Sequence, residues 1–598
     1  MDASLNERAR PVPVRPMSSY ERLVRLVSKP RAALAIAALA VLMSLPALTV
    51  GLAGDDFDLA LAVTRDPLSG YAFLPRDPVE RNAFVLSARD AGSAPWWSDP
   101  DRHIAFFRPL ASLSLALDFA LWPSAPWLMH LENSLLFAAI VLLAAALYRA
   151  FGLPVRACGL ATFFFAMHGA QSMTTGWISG RNTLLAALFG FGSLRLFIAA
   201  QRGSRGLLFG ASAAFAAALL SAEGGVATLA YLFAYAHCFG RAPVPTSDSK
   251  SIVTPVQRWA GLWGFALLLL AWLTAYKLGG YGVKGSGFYV DPVENPLRFS
   301  LDLLAAIPIY LASQLTIPFA GTTGVHPLAM PVVAAISLLL LCAFRSLWLP
   351  WLRLDSRARA LGLGAVLAIV PLGTSIPQDR LVSFIALGVC GIVALSVDER
   401  LSPAASELPQ RGARRLFRYH AFWAPLLYVP FLFGSLVMIA GGGGILLDRV
   451  LGSDARPVLL VNAPSFMPIH FMARKREWFG EVRPELDVLY AGSSELQLTR
   501  TGDQSLELAT ARGYFFGRFE RLERDPGRRP LQAGQTIQLD RMRVQVLEVQ
   551  DGAPTRVGFQ LAQPLSGARV YAWQGRKLEL LTLPRQGESV RIEPASTL

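Results

Sequence analysis

The chain has 598 residues, of which 53% are hydrophobic and only 16% charged, and its formal net charge is +14. Soluble domains carry roughly a quarter charged residues, so an ordinary soluble enzyme is excluded. The basic excess would suit a nucleic-acid binder, but its placement along the chain assigns it to membrane topology instead.

Arg8, Arg10, Arg15, Arg22, Arg25, Lys29 and Arg31 precede the first apolar run, from about Ala32 to Leu52. That run is long enough to stay in a hydrocarbon core and has no convincing cleavage site. Further runs begin near Trp127, Leu153, Leu184, Leu207, Val226, Leu262, Pro327, Leu361, Leu381 and Ala421. Together they predict about 11 spans of helix. Basic clusters recur at Arg202 and Arg205, at Arg345, Arg353, Arg357 and Arg359, and at Arg411, Arg414, Arg415 and Arg418. The intervening loops are acidic or neutral, which puts the N-terminus in the cytoplasm by the positive-inside rule. The implied setting is a bacterial inner membrane, crossed many times. Cys158, Cys238, Cys342 and Cys390 fall in or beside these runs with no metal-site spacing, and read as packing residues.

Between the runs, the outer side receives a long loop at 54–125, a hairpin at 168–181, a turn near Glu223, a loop at 276–326 and a turn at Ile376–Arg380. The apolar stretch LDLLAAIPIYLASQLTIPF inside the 276–326 loop is long enough to span. Crossing there would place the Arg345–Arg359 cluster outside, so it is expected to lie along or re-enter the outer leaflet. The layout is a cytoplasmic segment at 1–31, a transmembrane domain at 32–440, a glycine-rich linker at 441–455 and a soluble, β-rich domain at 456–598, expected to be small and all-β, on the periplasmic side. In that last part short alternating stretches such as PVLLVNA, LDVLYAG, TIQLDRMRVQVLEV and RVGFQLA are separated by turn residues, as in a small antiparallel sandwich or barrel.

The non-topological polar groups crowd at the outer face. Asp55 and Asp56, in Gly-Asp-Asp-Phe-Asp, stand where the first run meets water. Such a pair can mark the water line, bind a cation or supply a general base. With Asp58 they offer three carboxylates, which leaves a divalent metal possible without making a specific site. Arg108, His130, Glu132 and Asn133 lie at depths where polar groups need partners. His168 and Arg181 close the ends of the outer hairpin, where a guanidinium can grip a phosphate or merely anchor a helix. Glu223, Asp379 and Arg380 sit at the same face.

The order of these motifs resembles the integral-membrane glycosyltransferases of the GT-C superfamily. It is most similar to the O-mannosyltransferases with transmembrane and tetratricopeptide-repeat parts, and to their bacterial relatives. The likeness runs through GDDF at 54–57, FRPL at 107–110, HLEN at 130–133, FAMHGAQSMTTGWISGRNTLLAALF at 165–189, SAEGGV at 221–226, DPVENP at 291–296 and PQDRLVSFIALG at 377–388. It covers roughly residues 32–395.

The resemblance implies a polytopic α-helical fold and transfer of a sugar, with inversion, from a polyprenyl-phosphate donor to an acceptor hydroxyl at the periplasmic face. The acceptor can be protein, glycan or lipid. Asp55 and Asp56 would be the catalytic acids of the first outer loop, one of them the base. Arg181, Arg380 and Arg108 would hold the donor phosphate, supported by His168, His130, Asn133, Glu223 and Asp379. Two places depart from the family pattern: Met173 stands where relatives usually have Glu, and Gly169 where they often have Pro. The tetratricopeptide array is absent, and the β-rich domain takes its place, to bind glycan, guide the acceptor or stabilise the fold. Two other readings compete. A lipid-linked-sugar transporter would need a continuous polar path across the bilayer, whereas the mid-membrane stretches here are almost free of charge. A catalytically inactive scaffold of the same fold has Met173 as its main argument.

Overall fold

The computed structural model describes residues 17–204, 206–239, 255–324, 326, 328–402, 410–439, 442–451, 456–482 and 485–596. Arg8, Arg10, Arg15, Arg205 and Pro327, with residues 441 and 452–455 of the expected linker, lie outside the described residues.

Every apolar run marked in the sequence forms helix. Among the described residues seven helical segments are long and apolar enough to cross a membrane: Ala32–Thr49, Pro126–Ala150, Ile178–Ala200, Gly261–Leu278, Pro296–Ser313, Ser356–Thr374 and Arg411–Ile439. Ala329–Ala343 and Arg345–Leu354 make an eighth if this pair, bent by 71°, counts as one span. Pro109–Leu121, Val155–Met167 and Leu207–Ser221 are apolar but shorter. Pro126–Ala150 shows how the sequence sets length: proline opens the first turn, where its missing N–H costs nothing, and no breaker follows for 25 residues. Close packing needs small residues at the crossings. A Cβ on Gly388 would stand 2.3 Å from the Leu361 carbonyl oxygen, so Ser383–Leu401 and Ser356–Leu367 can touch there only through glycine.

Pro296–Ser313, expected along the outer leaflet, has the length and composition of a span. Both of its flanks are nevertheless tied to segments that the sequence assigns to one side of the bundle. Arg528 bonds Glu294 before it, while after it the Thr316 carbonyl lies 3.2 Å from His168 Nε2 and the Gly321 amide donates to Asp379.

The basic clusters converge on one end of the bundle. Tyr20, in the amphipathic helix Ser19–Val27, donates to Asp398 at 2.6 Å and packs edge-on against Phe417. Ser396 and Arg400 bond the carbonyls of Leu347 and Ser346, and Arg357 bonds that of Gly152. Arg22, Arg25, Arg353, Arg411, Arg414, Arg415 and Arg418 are carried on the helices joined by these contacts.

The C-terminal region is β-rich, and its strands fall where the alternation places them. A strand at Ser505–Thr510 was not among those expected. A six-stranded antiparallel sheet runs in the order 589–592, 496–500, 505–510, 553–561, 542–550, 536–538. Its central hairpin turns on Asp551 and Gly552, both at positive φ, as a two-residue turn matched to strand twist demands. The second sheet is mixed, in the order 577–580, 569–574, 458–463, 486–491, and two of its three pairs are parallel. Val458–Ala463 is buried throughout, as suits a strand covered on both faces.

Two expectations are corrected here. The glycine-rich linker is largely the helix Gly442–Leu451. The region is also not purely β, because parallel strands need a crossover, and the helix Met467–Trp478 supplies it between Val458–Ala463 and Leu486–Ala491. Nor does this region hang from a tether. Trp96 and Trp97 of the first outer loop lie in its hydrophobic core, with the Trp96 indole donating to the Leu489 carbonyl at 3.0 Å.

Candidate active site

The outer loops meet above the bundle end opposite the basic clusters. The first span leaves the apolar layer through Gly51 and Gly54, both at positive φ. A Cβ on Gly54 would stand 2.7 Å from the Ile439 side chain, so both the turn and the packing call for glycine. The chain then enters the helix Asp56–Arg65, with Asp55 at its N-cap position.

The two adjacent aspartates have different surroundings. Asp56 is completely buried. Its Oδ2 accepts from the Ala53 amide at 2.9 Å, and its Oδ1 accepts from the Ser179 amide at 2.8 Å and the Ser179 hydroxyl at 2.5 Å. Asp56 therefore joins the first outer loop to the outer hairpin. Burial pushes its carboxyl up to about 7, against the pull of those donors. Asp55 is half-buried and its carboxylate makes no hydrogen bond among the described residues. Burial and the neighbouring Asp58 raise it to about 6, while Arg380, His470 and Arg108 draw it down.

Two arginines face this carboxylate. Arg108 donates Nε and Nη2 to Glu223, each at 2.7 Å, and lies over the rings of Phe106 and Tyr71. Glu223 also accepts from the Tyr276 hydroxyl. Arg380 has no ion pair among the described residues. Its guanidinium lies 5.0 Å from the Trp177 ring centroid, and its buried Nε has no partner. Both arginines act on Tyr289, whose phenol is raised first by burial and drawn down by Arg380 and Arg108. A partly exposed carboxylate without a hydrogen bond, a guanidinium lacking a counter-ion and a second guanidinium paired with Glu223 thus act on one another.

Arg181 was expected to hold phosphate. It is completely buried, and each of its nitrogens is paired. Nε donates to Asn133 at 2.7 Å, Nη1 meets Asp118 and Glu132 at 2.6 Å, and Nη2 donates to the Met129 carbonyl at 3.0 Å. Two carboxylates already neutralise it. Asn133 completes this knot by donating to the Trp177 carbonyl at 2.8 Å. His130 Nε2 lies 2.9 Å from the Gly51 carbonyl and so fixes the loop exit. Buried His168 accepts from the Ala170 amide on Nδ1, which leaves Nε2 to donate to Thr316. Asp379 accepts from Gly321, and burial raises it to about 6. These five shape the outer loops, and only Asp55, Arg108, Glu223 and Arg380 belong to the group of interacting charges. Met173 lies half-buried with Trp177, Leu432 and Leu436 in a small apolar cluster.

Asp58 is not free to join Asp55 and Asp56 around a cation. His470 and Arg474 of the helix Met467–Trp478 hold it, with Nε2 of the histidine at 3.0 Å and Nε of the arginine at 2.8 Å. No group of three or more His, Cys, Asp or Glu among the described residues is arranged to hold a metal ion. Sequence reasoning missed His470, Arg474, Tyr289 and Trp177. The first two carried a signal, an i, i+4 pair in Met-Pro-Ile-His-Phe-Met-Ala-Arg opened by a proline suited to a helix start.

No protein-family model matches this chain, and no curated protein matches it. Among solved structures it is similar to ArnT from Cupriavidus metallidurans bound to undecaprenyl phosphate, at 14% identity and a TM-score of 0.34, over 74% of this chain and 84% of that one. It is also similar to the Archaeoglobus fulgidus oligosaccharyltransferase in its apo form, at 12% identity and a TM-score of 0.36, over 77% of this chain and 65% of that one. The same values of identity and TM-score relate it to AglB from Archaeoglobus fulgidus in complex with an inhibitory peptide and a dolichol-phosphate, over 76% and 64% of the two chains. Superposition this loose carries no residue or activity across.

Proposed function

We propose that this chain is an inverting membrane glycosyltransferase. It takes a sugar from a polyprenyl-phosphate donor and passes it to an acceptor hydroxyl at the outer face, with the basic end of the bundle in the cytoplasm of a bacterium. The observation that carries this reading is the division of labour between the aspartates. Asp56 has both side-chain oxygens engaged, whereas Asp55 beside it is unbonded, only partly buried, and under the charge of Arg380 and Arg108.

A single displacement needs one base on the attacking side. Asp55, held at about 6, is mostly ionised at neutral pH yet basic enough to accept a proton from the acceptor hydroxyl as it attacks the anomeric carbon. The bond to the phosphate oxygen breaks as the glycosidic bond forms, and the phosphate leaves as an anion. Arg380 is the natural partner for that charge, because it holds no carboxylate to be displaced, and Arg108 adds a second guanidinium. Tyr289, partly exposed and under the charge of Arg380 and Arg108, offers a phenol beside this carboxylate for a sugar ring. The polyprenyl tail remains in lipid beside the bundle.

The test is transfer by purified protein in nanodiscs from a panel of radiolabelled undecaprenyl-phosphate hexoses to endogenous membrane acceptors. Product that vanishes in Asp55→Asn supports the reading. No product from any donor with folded wild type, or full activity in Asp55→Asn, overturns it.

A further inference from the structure

The Asp58–His470–Arg474 cluster is absorbed neither by the catalytic proposal nor by the sheet architecture. It lies between two parts of the chain about 400 residues apart. His470 Nε2 faces both oxygens of Asp58, at 3.0 and 3.2 Å, and Nδ1 faces the Ser93 carbonyl at 3.3 Å. A carbonyl oxygen can only accept, and so can a carboxylate kept ionised by a guanidinium. Both ring nitrogens must therefore donate, so the ring is an imidazolium. Arg474 Nε donates to Asp58 Oδ1 at 2.8 Å, and its Nη1 pairs with Glu477, which in turn pairs with Arg65 from the helix Asp56–Arg65. The next side chain, Phe471, abuts Gly54, where an added Cβ would sit 3.5 Å from its ring. Phe479 packs edge-on against Phe57. Asp58 lies three residues after Asp55, on the same face of the helix start.

We propose that the helix Met467–Trp478 is a positioning element of the active site. In it His470 and Arg474, by donating to Asp58, fix the helix start that carries Asp55 in its working orientation. The proposal rests on the glycosyltransferase reading for what Asp55 does, but the clamp itself can be tested without turnover. Of the charged groups around the imidazole, Asp58 and Asp55 from the facing helix attract it, while Arg474 on its own helix opposes its charge but shares the same carboxylate. Burial lowers the ring, but Asp58 outweighs this and raises it above its ordinary value. Burial likewise raises Asp58, yet His470 and Arg474 bring it below the usual carboxylate range. The C-terminal region thereby becomes a working part of the site, which gives its rigid attachment through Trp96 and Trp97 a purpose.

The experiment uses full-length protein in nanodiscs. Histidine-ring NMR, with the resonance assigned by its loss in His470→Gln, should show an imidazolium at pH 7 that becomes neutral in Asp58→Asn. Hydrogen exchange should show amides of residues 53–60 opening at least ten-fold faster in the Arg474→Gln and His470→Gln variants, with those of residues 542–561 unchanged. A neutral ring in wild type, unchanged exchange at 53–60, or equal loosening of both segments overturns the proposal. With an active donor in hand, the clamp variants should lose kcat while keeping the wild-type KM. A wild type that transfers nothing would instead count against the glycosyltransferase reading and leave the NMR and exchange results to decide the clamp.

Discussion

Replacing each aspartate of the pair by asparagine separates chemistry from architecture. Asp56 accepts three hydrogen bonds on two oxygens inside a site closed to water. In Asp56→Asn the remaining oxygen can face the Ser179 amide and hydroxyl, but the new NH2 then points at the Ala53 amide, donor against donor. A hydrogen bond to a charged group contributes about 1.5–3 kcal/mol, and a buried unsatisfied donor adds to the loss, so the expected cost is about 2–4 kcal/mol. Asp55 makes no hydrogen bond, and Asp55→Asn keeps its shape while removing a charge that burial disfavours, so the variant should melt no lower than the wild type. Loss of a general base should nevertheless slow transfer roughly 100- to 10,000-fold. Thermal unfolding in detergent and transfer from the undecaprenyl-phosphate hexose panel read the two effects separately. The reasoning fails if Asp56→Asn melts with the wild type, or if Asp55→Asn retains its rate.

Other expectations follow the same geometry. Transfer should rise with pH through an apparent midpoint of about 6, because the base acts ionised, and the neighbouring acids share this titration. The stability effect has the opposite sign: these raised carboxyls contribute below their unfolded value of 3.8, and that contribution is lost as pH rises through about 6 to 7, which pH-dependent unfolding can follow. Arg181→Met should leave Asp118 and Glu132 without their cation at a cost of about 3–5 kcal/mol, seen as loss of monodisperse protein before any donor is offered. Arg380→Gln should cut transfer by roughly 100- to 1,000-fold. It forfeits only a ring contact worth about 0.5–1 kcal/mol, so its melting curve should barely move. Trp96→Ala should cost about 3–5 kcal/mol and expose the C-terminal strands to protease.

The membrane character was legible because each span writes itself as one continuous local run, and the clustered arginines mark one end of the bundle. Asp55 and Asp56 were visible as a pair but not as different groups. What distinguishes them is Ser179, more than 120 residues later, and no local pattern encodes that contact. Arg181 illustrates the same limit from the other side. Its place at a hairpin end suits a phosphate ligand, yet Asp118 and Glu132 fold onto it from two other helices. The helix Met467–Trp478 was hidden by its strand-rich surroundings, although its proline start and its His470/Arg474 spacing favoured helix. Most strands of the six-stranded sheet, by contrast, follow period-two alternation and were readable, although Ser505–Thr510 was missed and the parallel pairing of the fully buried Val458–Ala463 left no local pattern.

The tryptophan pair in the C-terminal core also imposes an order on biogenesis. Trp97 leaves the ribosome about 360 residues before Val458, the first strand of the sheet it helps to cover. At about 5–20 residues per second that interval lasts roughly 20–70 s. Throughout it the helices can insert and pack, while the loop bearing Asp55 and two large indoles waits in water for its partner. Until the segments from Val458 onward are made, both indoles lack the core that buries them.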